Sequence, residues 1–469
     1  MATRKHNVAV IGGGMTGLTA TYYLKKAIEK HNLPINLNLI EATIRLGGKI
    51  HTVKKEGFLI EKGPDSFLAR HQSAIKLAES LGLGDELIHN KADQIYVLVN
   101  DRLYPIPEGS VMGVPTKMKP FMTTNLFSIS GRIRATADLI MPRSKIDGDE
   151  SLGLFFRKRL GDEVVENLIE PLWSEIYAED IDQLSFLSTF PSFLEMDESD
   201  RSLIASLKRS VALSDEIKKE KSGRFITFKN GLQSLVDNME DKLGSEIVMK
   251  GVKVERIQKK LDKYLLFLNN GEMMEADSII SAVPHHVLPT FFPEYRLFDK
   301  WKHHPSTSVA TVVMAFPKNA VEEKIDGSGF VIPRNTDFTI TSCTWTNKKW
   351  PHTTPEGKVL LRSYIGRVGD EAVVSLSDEE IEQIVFEDLQ RLLRISERPD
   401  FTVISRWEKA IPQYKVGHKD RINKLKMKVL EELPGVFIAG SSFEGLSIPA
   451  CIEQGEEAVK QVLHYLQYS

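Results

Sequence analysis

The stretch Asn7-Val-Ala-Val-Ile11 runs directly into Gly12-Gly13-Gly14-Met15-Thr16-Gly17, and this junction constrains the fold more than any other part of the chain. The short apolar run, rich in β-branched residues, predicts a buried strand. Leu18 to Lys30 contains helix formers and neither Gly nor Pro, which predicts a helix. Ile35-Asn-Leu-Asn-Leu-Ile40 predicts a second strand, ending at Glu41, 24 residues after Gly17. The result is a β-α-β unit with a Gly-x-Gly-x-x-Gly turn and an acid at the end of its second strand. Gly12 permits the tight turn, Gly14 lets backbone approach a pyrophosphate, and Gly17 lets the helix pack close to the sheet. Glu41 is placed to accept hydrogen bonds from a ribose diol. The plainer alternative is a glycine-rich turn with no ligand, but the strand, helix and acid together favour a dinucleotide.

A chain of 469 residues has room for roughly three domains' worth of fold at about 150 residues each. Lys plus Arg is 61 and Asp plus Glu is 64, a net charge of −3, which argues against a general nucleic-acid binder. Cys343 and Cys451 are the only cysteines, too few for a disulfide framework, and buried filler is their simplest role. No run reaches the roughly 18 apolar residues of a spanning helix. The basic start Met1 to Asn7 and the short run Val8 to Ile11 do not make a signal peptide. The expectation is a cytoplasmic protein, with peripheral contact at the inner membrane face left open.

The residues after Glu41 separate a flavin from a nicotinamide. Ala42-Thr-Ile-Arg45-Leu-Gly47-Gly48-Lys49 puts cations and a second glycine pair just past the ribose-binding acid, suited to the phosphates of the longer FAD. Gly57 to Glu61 predicts a strand, and Gly63-Pro64-Asp65-Ser66 a tight turn close to a ligand. Gly12 to Gly17, Glu41-Ala42, Arg45 to Lys49 and Gly63 to Ser66 resemble the FAD-binding motifs of the amine-oxidase-like flavoproteins. Over the whole chain, Ile169 to Asp182, Cys343 to His352 and Gly440 to Gly445 are similar to the oxygen-dependent porphyrinogen oxidases of haem biosynthesis. The likeness is to their Gram-positive branch, the coproporphyrinogen III oxidases.

That resemblance implies an α/β fold: a discontinuous Rossmann-like FAD domain, an antiparallel-sheet substrate domain and a mainly helical insertion. The expected boundaries are 1–90, 223–295 and 429–469 for the FAD domain, 91–222 for the helical part and 296–428 for the sheet. The patterns agree in outline. Val252 to Ile257 alternates like a strand, and Asn269-Asn270-Gly271 predicts a hairpin turn between Tyr264–Leu268 and the strand around Ala276. Val309–Phe316, Phe338–Trp345, Val359–Ile365 and Thr402–Arg406 predict an antiparallel sheet roofing the flavin, and Gly435 to Ala439 a buried strand. Phe121 to Met141 reads as one amphipathic helix, Phe155 to Glu170 as strongly helical, and 195–223 as a solvated polar connection. A helix starting at Pro449 closes the chain.

By resemblance, Val254 contacts FAD through its backbone, Trp407 stands beside the flavin, Gly440 belongs to the last cofactor loop, and Ile448, Pro449 and Ala450 meet the pyrimidine edge. Met15 and Thr16 complete the first cofactor turn. The substrate candidates are Tyr364 in the cavity and Lys348, Lys349, Arg70, His71 and His352 for its carboxylates, each with the alternative of ordinary core or solvated loop. Neither cysteine fits a covalent flavin link, and no zinc spacing, nucleophile elbow or assignable catalytic base is evident.

The implied activity is six-electron oxidation of coproporphyrinogen III to coproporphyrin III, with oxygen as acceptor and hydrogen peroxide as product. Porphyrinogen and oxygen are the expected partners, with transient contact to the next pathway enzyme left open. The competing readings are a protoporphyrinogen IX oxidase, another amine-oxidase-like oxidase or desaturase, a non-catalytic FAD or porphyrin carrier, and an NAD dehydrogenase.

Overall fold

The computed structural model describes residues 5–142, 148–191, 201–217, 223–322 and 326–468. Its organising element is a five-stranded parallel sheet assembled from three distant pieces of chain. The strand order is Val248–Lys250, Ile35–Glu41, His6–Ile11, Ser278–Ser281 and Val436–Ile438. The first strand is paired on both sides, Val10 with Leu39 and with Ile280, so its apolar run is buried on both faces. Helix Met15–His31 follows the glycine turn, ends at Asn32 in the left-handed conformation, and packs against the last helix, Ile448–Tyr465. Gly455 permits this approach: a Cβ there would stand 2.7 Å from the Thr16 carbonyl oxygen.

The second sheet has seven strands in the order Phe401–Pro412, Ser306–Pro317, Lys358–Ile365, Ile340–Trp345, Gly329–Val331, Ile95–Val99 and Arg102–Pro105. The long Ser306–Pro317 strand is buried on both faces because the two faces meet different partners. Val312, Met314 and Phe316 pack in one cluster with Ile381, Val385 and Leu389 of helix Asp378–Leu392. Val313 and Ala315 pack against Phe58 and Ile60 of the Phe58–Glu61 strand. Full burial of such side chains contributes roughly 1.5–3 kcal/mol each. The alternation therefore turns the odd-numbered residues, Thr311 among them, toward the cofactor-side strands.

Several expectations need correction. Within the mainly helical part expected over 91–222, Ile95–Val99 and Arg102–Pro105 instead form a hairpin that completes the seven-stranded sheet. Its turn residues, Asn100 and Asp101, both have positive φ, which these side chains tolerate in a tight hairpin. The single amphipathic helix expected over Phe121 to Met141 is two, Met118–Thr123 and Ile129–Thr136, because Ser128 caps the second through the Gly131 N–H at 3.0 Å. The helical stretch after Phe155 stops at Gly161, whose φ is +85°, and resumes with a wide turn over Val165–Ile169 before helix Glu170–Tyr177. Part of the polar connection expected over 195–223 lies outside the described residues. The rest contains helix Leu203–Ile217, with Leu203, Ile204 and Leu207 buried in the helical core. That core also holds a buried ion pair, Arg159 to Asp138 at 2.7 Å.

Candidate active site

The glycine turn sits at the carboxyl end of the parallel sheet, the edge at which such sheets bind ligands. Gly12 has φ +105°, and a Cβ there would lie 2.8 Å from the Ala282 oxygen, so both conformation and space demand glycine. At Gly14 a Cβ would meet nothing within 4 Å: the backbone here borders open space. The second glycine pair closes on this turn. Gly47 N–H donates to the Gly13 carbonyl at 2.8 Å, and Gly48, at φ +57°, would place a Cβ 3.1 Å from Gly14 Cα. Gly440, at φ +119°, comes from the other end of the chain, and its Cβ would point to within 3.8 Å of Thr16 Oγ1. Three glycine-bearing segments thus converge on the start of the first helix, where Met15 and Thr16 are buried. This is a backbone-walled cradle of the kind a dinucleotide needs, and the residues present fit FAD.

Glu41 stands at one end. Its Oε2 accepts from Gly13 N–H at 2.7 Å, and its Oε1 from Thr43 N–H and Oγ1, each at 2.8 Å. These bonds fix the carboxylate while lone pairs remain for a ribose. Ala42 is exposed next to it. Arg45 turns inward rather than out: its guanidinium donates to the carbonyls of Leu46, Gly48 and Ile50, holding the glycine loop in shape. The Val252 N–H donates to the Glu41 carbonyl at 3.0 Å, which ties the start of this segment to the end of the second strand. Val254 opens the Val254–Lys260 strand at a register shift and is buried there.

Lys49 joins the pieces. Its ammonium donates to the Ala410 carbonyl and lies 3.5 Å from Ser441 Oγ, linking the seven-stranded sheet to the loop after Ile438. Burial lowers its pKa. That loop is also held by Gln454, which accepts from Gly440 N–H at 2.9 Å, and by Tyr414, whose hydroxyl donates to the Ser441 carbonyl at 2.6 Å. Behind it, His285 is hydrogen-bonded to Ser442 Oγ at 3.1 Å and His418 to the Phe443 carbonyl at 2.9 Å. The final helix begins at Ile448 with Ser447 as its cap, accepting from Ala450 N–H, and Pro449 in its first turn. A helix start of this kind favours negative charge. Cys451 is buried in that helix, and burial raises its pKa.

The turn 62–66 lies under the second sheet and is fastened from above. The Lys62 carbonyl accepts from Trp407 Nε1 at 2.8 Å and from Thr311 Oγ1 at 2.9 Å. The Gly63 carbonyl accepts from the Arg362 guanidinium. Pro64 follows, and then Asp65 accepts from Lys349 Nζ at 2.9 Å, Trp350 Nε1 at 3.2 Å and Ser66 Oγ at 2.7 Å. Burial would raise the Asp65 pKa, but Lys349 and Arg362 together hold it well below the usual carboxylate range. The strand register places Thr311, Tyr364 and Ser342 in one row on this inner face, with Arg362 two residues along from Tyr364. The Ser342 hydroxyl faces Glu175, and among the described residues the Ser405 hydroxyl is buried without a hydrogen-bond partner.

The substrate candidates divide. Tyr364 is on the inner face, its ring 4.7 Å from the Arg362 guanidinium. Lys349, expected to meet a substrate carboxylate, is instead 9% exposed and paired with Asp65. Lys348 lies over the Trp345 ring. Arg70 is exposed beside His71, and His352 lines a small pocket with Asp65, Arg362 and Trp350. Two chamber residues escaped the sequence reading. Arg362 is 2% exposed, and its only sequence signal is a cation in the middle of the apolar run Val359 to Ile365. Glu175, on helix Glu170–Tyr177, keeps accessible surface yet is enclosed by protein. Burial raises its pKa, offset in part by Lys349, Ser342 and Arg362. Among the described residues no group of three or more His, Cys, Asp or Glu could hold a metal ion.

The comparisons with known proteins agree with this geometry. Residues 15–463 match the model for flavin containing amine oxidoreductases. The chain is 50% identical to a coproporphyrinogen III oxidase of Bacillus subtilis over 99% of its own length and 100% of that protein. It is 41% identical to a coproporphyrinogen III oxidase of Staphylococcus aureus, covering 97% of this chain and 99% of the relative. A crystal structure from Exiguobacterium sp. 255-15, provisionally assigned as a protoporphyrinogen oxidase, superimposes with a TM-score of 0.87 at 33% identity over 99% of both chains. With the cradle, the roofing sheet and a match spanning nearly all of its length, the chain belongs to the flavin containing amine oxidoreductase family.

Proposed function

We propose that this protein is an FAD-dependent coproporphyrinogen III oxidase of haem biosynthesis, carrying its flavin non-covalently and using oxygen as final acceptor. The observation that carries this reading is the half-identity, end to end, with the Bacillus subtilis enzyme, on a structure whose three glycine segments converge to form the cofactor cradle.

In this reading Gly12, Gly14, Met15, Thr16, Gly17 and Gly48 hold the pyrophosphate end, and Glu41 and Ala42 the ribose. Arg45 keeps the loop shaped, and Lys49 locks it to the roof. Gly63, Pro64, Asp65, Ser66, Trp407, Gly440, Ile448, Pro449 and Ala450 surround the ring system. Val254 meets the adenosine end through its backbone. The bound flavin supplies the two-electron acceptor, and the protein supplies placement and electrostatics. Trp407 and Thr311 fix the Lys62 carbonyl, which fixes the turn beneath the substrate. Tyr364 and Ser342 form the polar part of the roof, and helix Glu170–Tyr177 carries Glu175 as a wall.

Among the described residues no helix is long and apolar enough to cross a membrane. Peripheral contact with the membrane or with the next pathway enzyme belongs to the same proposal. Protoporphyrinogen IX is the alternative substrate. The test is an anaerobic mixture of purified protein with coproporphyrinogen III, followed by air. Bleaching of bound flavin, its recovery with oxygen uptake, and the appearance of porphyrin fluorescence are expected. Tight flavin without bleaching by either porphyrinogen would leave a carrier instead.

A further inference from the structure

Arg362 is a cation buried inside an apolar strand, and its surroundings do not fully satisfy it. One terminal nitrogen donates to the Gly63 carbonyl, the other lies 3.9 Å from Asp65 Oδ2, and among the described residues neither that second nitrogen nor Nε has a hydrogen-bond partner. Asp65 is at the same time paired with Lys349 at 2.9 Å. Two cations therefore share one carboxylate. Glu61 and Glu175 also face the cluster, and Arg362 and Lys349 stabilise their charged forms against burial. Burial pushes Glu61 up to about 7, against the pull of its bonds to Leu232 and Thr52, and burial raises Glu175 as well. Tyr364 and Cys343 stay neutral, both raised by burial. Leaving a charge under-compensated in a dry interior is expensive, and its field reaches further there than it would in water.

We propose that the Asp65–Lys349–Arg362 cluster acts as a fixed positive charge that raises the reduction potential of the bound flavin. The cluster is fastened to the Gly63–Ser66 turn through the Gly63 carbonyl and the Asp65 side chain, and it lies on the side of that turn facing the second sheet. A flavin gains negative charge on two-electron reduction, so a net cation held against its binding turn favours the reduced state. The three residues are positioning residues, because they act through the turn and through space. This inference rests on the reading of Gly63–Ser66 as a flavin-binding turn in an FAD enzyme.

The experiment measures the flavin midpoint potential and the sulfite affinity of the FAD-loaded protein and its variants; sulfite binds more tightly to flavins whose surroundings favour negative charge. Lys349→Met removes the net cation, and the reduced-to-oxidised ratio at a fixed potential should fall about tenfold. For a two-electron couple that is about 30 mV. Sulfite affinity should fall with it. Asp65→Asn exposes both cations and should shift both readings in the opposite direction. Arg362→Lys keeps the charge and should stay within about twofold of the parent. If Arg362→Lys does not fold, the opposed pair Lys349→Met and Asp65→Asn still decides. Shifts in the same direction for those two variants, or no shift in either, would overturn the proposal, since a packing defect does not change sign with charge. A protein that binds FAD but oxidises no porphyrinogen would refute the proposed function while leaving these potentials readable.

Discussion

Around Gly14 the cofactor cradle is made of backbone, and around Asp65 the same long site is made of buried charge. At the first end the wall is glycine because nothing else fits or should intrude: Gly12, Gly48 and Gly440 all have positive φ, and each comes from a different segment. At the second end the turn 62–66 is held by side chains reaching down from the second sheet, Trp407, Thr311, Arg362 and Lys349. A backbone cradle tolerates changes of charge and fails on added volume. A charged clamp tolerates small changes of shape and fails on lost charge.

The largest expected effect is at Gly14. A Cβ there points into open space, so Gly14→Val should leave the apo fold intact yet fill the pyrophosphate's path. A loss of at least about 3 kcal/mol of FAD binding, roughly 150-fold, is expected from the forced overlap. Flavin absorbance after gel filtration measures it, and full occupancy in a folded variant would remove Gly14 from the cradle. Gly17→Ala makes the contrast, because a Cβ there collides with the Gly12 carbonyl and should destabilise the apo fold itself.

Next comes the charged end. Lys349→Met removes a charge-assisted bond to a buried carboxylate that retains Arg362 as its second partner. About 2 kcal/mol of stability should be lost, the usual range for a hydrogen bond to a charged group. Denaturant titration of the holo and apo forms checks this, and a loss under about 0.5 kcal/mol, the level of an ordinary surface change, would show that the clamp adds nothing to stability.

These two ends also differ in how much of them the sequence reveals. The cradle is legible because glycine at fixed spacing, a strand before and an acid after have one economical geometry. Even the closure by Gly440, some four hundred residues away, follows once a strand and a helix flank it. The clamp is not legible, because a lysine in Trp345-Thr-Asn-Lys-Lys-Trp350 looks like a solvated loop until the fold puts Asp65 opposite it. Arg362 was passed over for a related reason: in a strand, one cation among apolar neighbours reads as an edge residue. The Ile95–Val99 hairpin was missed because its sheet partners lie more than two hundred residues downstream.

Acid should attack the cradle from its far side. His285 and His418 are buried, and burial lowers both pKa values to about 4, with Lys49, His286, Arg421 and His304 also nearby. Their folded values lie below the unfolded value of about 6.5. The stability tied to their neutral forms is complete above pH 6.5 and drains away as pH falls from there toward 4. The slope is about 1.4 kcal/mol per pH unit for each imidazole that charges only when unfolded. Because these rings hold Ser442 and Phe443, FAD should be released in the same window. Flavin fluorescence against pH measures this. His418→Gln should flatten the slope, and an unchanged slope would assign the acid loss to other groups.

The smallest expected effect concerns which porphyrinogen is preferred. Coproporphyrinogen III carries four propionates, protoporphyrinogen IX two propionates and two vinyl groups. The two inner cations are turned toward Asp65 and the Gly63 carbonyl, so they are not free to contact all four carboxylates directly. If the extra carboxylates are met by an exposed cation, Arg70, exposed beside His71, is the candidate. One charge-assisted contact of this kind should give kcat/KM for coproporphyrinogen III at least about tenfold above that for protoporphyrinogen IX, roughly 1.4 kcal/mol. A rim contact is screened by salt, so the ratio should shrink as ionic strength rises. Arg70→Ala should raise KM for the tetracarboxylate, leave its kcat nearly unchanged, and move the dicarboxylate little. Steady-state assays on both substrates at constant detergent and two salt concentrations measure all three quantities. Equal or reversed ratios in the parent enzyme would favour the protoporphyrinogen alternative. A tenfold ratio that survives both high salt and Arg70→Ala would move the source of discrimination from the rim into the chamber, beside Tyr364 and Glu175.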